Sequence, residues 1–251
     1  MILIDAREGL SGDMLVAGML DLLDDMKARD VSRRIQKAAA AHGIAFTSAE
    51  VEEDGDKGLA VNYGPSNEHA GHVSQEDALA LLEEYEDILG SRSSVGKLML
   101  KEIVEAESEA HCVPVKEVHL HEIGRPQGIL NMAAIGLMSH MLVEDGAEGF
   151  VASKVVTGKG ITVMSHGAIR IPPPAARILL RGLVHEEGDA SGERATPTGI
   201  AALKVLAKSQ IETVPTDRIE RMGVGFGTKR FGGRLGRTVL LRYRALNPTG
   251  I

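Results

Sequence analysis

The sequence predicts an α/β fold, a mixed sheet with packed helices, helix-rich in its first half and built of Gly-rich strands and short helices in its second. Three observations carry this. The opening run MILID is short, apolar and ends in an acid, the pattern of a buried strand. From Met14 to Leu142 apolar residues recur with a helical period in successive segments. After Phe150 the texture changes to segments punctuated by glycine and proline, VASKVVTGKG, ITVMSHG and TVLLRY.

In chain order, the first strand delivers Asp5 and Arg7 into a loop, and Gly9, Ser11 and Gly12 form a turn. Ser11 or Asp13 caps a helix through about Met26, with Leu15, Met19, Leu22 and Leu23 on its apolar face. Asp30 or Ser32 starts a second helix that Gly43 closes. Ile44 to Val61 reads as two strands joined at Asp54-Gly55, and residues 62–73 as a Gly/Pro/Asn loop. Ser74 and Asp77 make a near capping box for a helix carrying Ala78, Leu81, Leu82 and Tyr85. Ser91 to Glu109 is a long amphipathic helix closed by His111 and Cys112, the cysteine expected as a buried small residue. Gly128 to Leu142 is apolar all round, which predicts a central buried helix. Pro173 and Pro174 then open a short helix from Ala175 to Leu180. Thr196 or Thr198 caps another through about Ala207, and a Gly-rich loop separates a strand near Met222 from a final strand, Thr238 to Tyr243. A soft boundary near residue 147 separates a metal-site region, 1–147, from a strand-rich region with Gly-rich anion-binding loops, 148–251; the two also fit one continuous domain.

With 251 residues the chain is long enough for a substantial core. Its 35 acids against 28 bases leave a net charge of -7, so the protein as a whole does not attract nucleic acid or anionic membrane. One cysteine excludes an internal disulfide and fits a reducing cytoplasm. The N-terminus lacks a basic region followed by an apolar run, and no stretch approaches 18 apolar residues, so neither a signal peptide nor a membrane span is expected.

The strongest chemical signal is VHLHEIG, residues 118–124. His119 and His121 share one face if the backbone is extended. Such a pair clamps nickel, zinc, copper or ferrous iron, with Glu122 as ligand or orienter; a polar strand surface is the alternative reading. His69 and His72 in NEHAGH, and His166 in SHG, are candidate completions of the ligand set. Asp5 and Asp13 flank GLSG, where they suit Mg²⁺ or Mn²⁺ or serve only as caps. Thr196, Thr198 and Gly199 form a hydroxyl-rich helix start that seats phosphate or carboxylate, or simply caps. In GVGFGTKRF, Gly223, Gly225 and Gly227 with Lys229 and Arg230 have the composition of a phosphate cradle, although a solvated turn accounts for them equally well. Walker, GxSxG and HExxH signatures are absent.

Taken together, DAREGLSGDM (5–14), VHLHEIG (118–124), SHGAIRIPPPAARILLRG (165–182), ERATPTGIAAL (193–203) and GVGFGTKRF (223–231) resemble one family. Its blocks DxxxGxSGDM, HFHEVG, HGxxPVPxPAxxxLLxG, ExxTPTGAAxL and GYGAGxxxF occur in the same order in the nickel-insertion proteins of lactate racemase maturation, the LarC family. The resemblance covers nearly the whole chain. It implies a nickel- or other transition-metal-binding protein of cofactor biosynthesis, inserting Ni²⁺ into an anionic small-molecule precursor, a pyridinium bisthiocarboxylate mononucleotide, at the expense of CTP. In that family the nucleotide is held by a C-terminal half, and this chain stops at Ile251 where that half would begin. CTP use is therefore expected only with a separate nucleotide-binding subunit. The family's AVDSIVD segment stands here as RPQGILN, residues 125–131, so that two aspartates have become the amides Gln127 and Asn131. Two alternatives stay open: a metal-dependent hydrolase or lyase with Glu122 as general base, and a non-catalytic scaffold subunit with a decayed metal site. A homo-oligomer is compatible with each.

Overall fold

The computed structural model describes residues 1–64, 73–120, 124–164, 167–214 and 216–244. The first half runs β1 (Ile2–Asp5), α1 (Gly12–Leu22), α2 (Asp25–Ala41), β2 (Phe46–Glu53), β3 (Asp56–Tyr63), β4 (Val73–Ser74), α3 (Gln75–Leu89), α4 (Val95–His111), β5 (His119–Leu120) and α5 (Pro126–Glu144). The second continues with β6 (Phe150–Ala152), β7 (Val155–Lys159), β8 (Ile161–Met164), β9 (Gly167–Arg170), α6 (Pro174–Leu179), β10 (His185–Ser191), α7 (Pro197–Leu206), β11 (Ala207–Gln210), β12 (Ile219–Phe231) and β13 (Arg234–Tyr243). The α/β class with a mixed sheet is the one the sequence predicts.

Seven strands form the main sheet in the order β11-β6-β1-β13-β12-β3-β2. Strand β1 pairs in parallel with β6 and antiparallel with β13, so strands from both halves of the chain interleave. Asp54 and Gly55 both have positive φ, the two-residue turn that matches hairpin twist, and they join β2 to β3 as expected. Helix α5 is buried along almost its entire length and packs against α1, α2, α3, α4 and α7. An all-round apolar helix needs such a position.

Local capping corrects several sequence-based boundaries. The first helix stops at Leu22 because the Asp24 side chain accepts from Lys27 N at 3.0 Å and starts α2 there, well before Asp30. Met26 consequently lies on α2 and is 82% exposed. Cys112 is exposed, in left-handed backbone as the cap of α4, and not the buried residue expected. Helix α7 ends at Leu206, and the chain then turns into β11 on the sheet edge.

The largest correction concerns GVGFGTKRF. It is the body of strand β12, and no loop separates it from an earlier strand. Helix α1 lies directly on it: a Cβ on Gly225 would overlap the Met14 carbonyl oxygen, and one on Gly223 the Gly18 carbonyl oxygen. Asp21 of α1 closes the contact by accepting from Val224 N at 2.8 Å. Gly225→Ala should therefore cost about 3 kcal/mol or more, because rigid backbone cannot move aside. Urea unfolding checks this, with Gly232→Ala, at the open hairpin turn, as a comparison for the cost of left-handed backbone alone.

Glu86 of α3 is 8% exposed, and its Oε1 has no hydrogen-bond partner among the described residues. Burial raises its carboxyl above the ordinary value, Lys97 opposes the rise, and Glu83 and Asp87 add to it. A raised folded-state value means that the protonated form fits the fold. That contribution to stability is complete below the unfolded value and is lost as pH rises through the folded one. Glu86→Gln should raise Tm at pH 8 by roughly 2–4 °C, the shift of about 1 kcal/mol in a domain of this size, with the gain shrinking towards pH 4 in calorimetric scans.

Candidate functional site

The first turns of α1, α5, α6 and α7 surround a cavity of about 770 Å³. Gly12 and Asp13 reach it from α1, Arg125, Gln127 and Asn131 from α5, and Thr196 and Thr198 from α7. Tyr63 enters from the end of β3, Glu107 and His111 from the last turn of α4, and Glu193 from the loop before α7.

Backbone hydrogen bonds bring two distant motifs to this place. Leu10 N donates to Arg194 O at 3.0 Å and Thr196 N to Leu10 O at 2.8 Å, joining the loop after β1 to the loop before α7. A Cβ on Gly199 would lie 2.6 Å from Leu10 O, so the glycine of TPTG permits this approach. Ser11 and Thr196 cap their helices by accepting from Met14 N and Gly199 N. Pro126 opens α5, and its N-cap residue, Arg125, makes no side-chain capping bond.

Helix N-terminal turns expose N–H groups that have no intrahelical partner and carry the positive end of the helix dipole. Three helices of ten or more residues, α1, α5 and α7, present such turns to one cavity. Asp13, Glu107 and Glu193 bring negative charge to the same space, Glu107 within 3.3 Å of His111. The Tyr63 hydroxyl donates to Asn131 Oδ1 at 2.6 Å. Burial, assisted by the charge of Asp13, pushes the Tyr63 phenol upward, so it remains a donor at neutral pH.

Of the residues singled out from sequence, Asp13, Thr196 and Thr198 line this cavity, as do the two amides Gln127 and Asn131. Asp5 does not. Arg7 Nε and Nη2 hold its carboxylate at 2.8 and 2.5 Å; burial acts to raise this carboxyl, and the bonds from Arg7 outweigh it and keep it low. A carboxylate so occupied is a poor partner for the Mg²⁺ or Mn²⁺ site expected with Asp13. Gly223, Gly225 and Gly227 are buried under α1, where a phosphate cradle was expected, and none of them lines the cavity. Arg230 is paired to Glu53 at 2.6 Å, and Lys229 is exposed. His119 stands exposed opposite Ser74 in the small β4–β5 ladder, with Leu120 buried beside it, and it does not line the cavity. His69, His72, His121, Glu122 and His166 lie outside the described residues. Among the described residues no group of three or more His, Cys, Asp or Glu side chains is placed to hold a metal ion, and no helix is long and apolar enough to cross a membrane.

Tyr63 and Glu107 were not foreseen as site residues. Neither carries a local signal, since one ends a strand and the other sits on an ordinary amphipathic helix.

A model of the nickel insertion protein family matches residues 2–243, from β1 to β13, and so spans every element around the cavity. The chain belongs to the nickel insertion protein family. Relatives carrying the name "Putative nickel insertion protein" include those of Geobacter metallireducens, 32% identical over 230 residues, Dictyoglomus thermophilum, 29% over 228, and Myxococcus xanthus, 30% over 238. Each alignment covers 90% of this chain and 56% of the relative, so the chain spans little more than half the length of these family members. No solved structure matches it.

Removing the Tyr63 hydroxyl releases the Asn131 amide. Tyr63→Phe should lower stability by about 1 kcal/mol, a Tm decrease of roughly 2–4 °C. In a spectrophotometric pH titration the phenol lost in Tyr63→Phe should be one that ionises well above the ordinary tyrosine range in the wild type.

Proposed function

We propose that this chain holds an anionic organic cofactor precursor in the cavity while nickel, the second substrate, is inserted into it. The observation that supports this best is the meeting of the N-terminal turns of α1, α5 and α7 beside Arg125, within a region matched to the nickel insertion family. Amide donors of this kind suit phosphate or carboxylate, and Thr196 and Thr198 add hydroxyls at the start of α7.

His119, His121 and Glu122 are the proposed metal-handling group, with His69, His72 and His166 completing the set. Neutral imidazole suits nickel, and an adjacent carboxylate fixes imidazole orientation or adds a ligand. Arg125 follows Glu122 by three positions, so one continuous segment, 119–131, carries both metal-handling and precursor-holding residues. The protein supplies delivery and orientation, and the organic frame supplies the metal's unusual donors. Exposed Lys229, next to cavity-lining Thr228, adds charge that steers an anion inward. A separate nucleotide-binding partner is proposed for any CTP-dependent step.

Equilibrium dialysis against Ni²⁺ followed by elemental analysis tests the metal assignment. The wild type should retain nickel near one equivalent per chain. His119→Ala/His121→Ala should lose at least ~10-fold in affinity with an unchanged melting curve. Undiminished binding in the double variant would remove these residues from the metal site.

A further inference from the structure

We infer that the α5 wall of the cavity is an oxyanion subsite, in which Asn131 and Arg125 receive a carboxylate or phosphate group of the ligand. This deepens the reading that the cavity holds the precursor, and rests on that reading for the location of the ligand.

Asn131 is 6% exposed and lies in the second turn of α5. Because Tyr63 O–H donates to Asn131 Oδ1, the amide orientation is set and Nδ2 is left with two N–H donors. Nδ2 has no hydrogen-bond partner among the described residues, although the residue is almost fully buried in the cavity wall. Its location is well defined: the position of a Gly12 Cβ would lie 3.1 Å from Asn131 Nδ2 and 3.0 Å from Thr198 Cγ2, so the first turns of α1 and α7 converge on the same amide. One turn earlier on α5, Gln127 Oε1 is buried without a partner among the described residues, which offers an acceptor to a hydroxyl of the same ligand.

Arg125 supplies the charge. It lines the cavity from the N-cap of α5 and takes part in no ion pair among the described residues. A guanidinium beside an uncapped helix start favours an oxyanion over a metal cation. Asp13 and Glu193 oppose an anion in the same cavity, and Glu107 is engaged with His111. Oxyanion binding therefore depends on the α5 groups and should fail when they are changed.

Isothermal titration of the full chain with inorganic phosphate, and separately with malonate, tests this without nickel. Saturable binding of either probe is expected, phosphate alone identifying a phosphoryl group and malonate alone a carboxylate. Arg125→Gln, an exposed change with no folding burden, and Asn131→Asp should each weaken it at least ~10-fold. His119→Ala/His121→Ala should bind the anion like the wild type, so loss of the metal assignment and loss of this one are separable. No saturable binding of either probe, or equal binding in the wild type and Arg125→Gln, would overturn the proposal.

Discussion

The contact between α1 and β12 is the constraint on which the site depends. The helix rests on strand backbone so closely that Gly223 and Gly225 have no room for a Cβ, and Gly18 answers them from the helix side against Leu240. Asp21 ties the helix to the strand by accepting from the Val224 amide. This geometry fixes the height and direction of α1, and so brings its first residues, Gly12 and Asp13, to the cavity. Thr238 adds to the anchoring by donating its hydroxyl to Gly9 O at 2.9 Å, which ties the loop before α1 to the central strand β13.

From that anchor the cavity follows in steps. The loop after β1 pairs with the loop before α7, and Gly199 lets the two backbones touch. Helix α5, buried on nearly every side, begins at the same place because Pro126 starts it there. Three positive helix ends thus meet in a space that also holds acids, a guanidinium, and the buried Gln127 amide oxygen, which has no partner among the described residues. A site with donors of one sign and acids of the other suits a ligand that carries an oxyanion and is joined by a cation, the combination proposed above for precursor and nickel.

Much of the fold was legible because each local signal had one physical meaning. MILID, the Asp54-Gly55 turn, the Ser74 cap and the all-apolar segment of α5 led to the elements observed. The site was legible only in pieces. Thr196, Thr198 and Asp13 were marked by capping chemistry, and Gln127 and Asn131 by their chemical difference from a family pattern. That these residues share one cavity with Tyr63 and Glu107 depends on long-range packing, which no spacing along the chain encodes. The glycine cluster of β12 misled for a related reason. Glycine serves both close approach to a phosphate and close approach to a helix, and composition does not distinguish them.

The claim that the helix ends and α5 side chains form a ligand site is tested most directly by soaking crystals in tungstate, an oxyanion visible by anomalous scattering. The account predicts a peak within hydrogen-bond distance of Asn131 Nδ2 and the Arg125 guanidinium. Peaks confined to the outer surface, with the cavity empty at saturating tungstate, would contradict it.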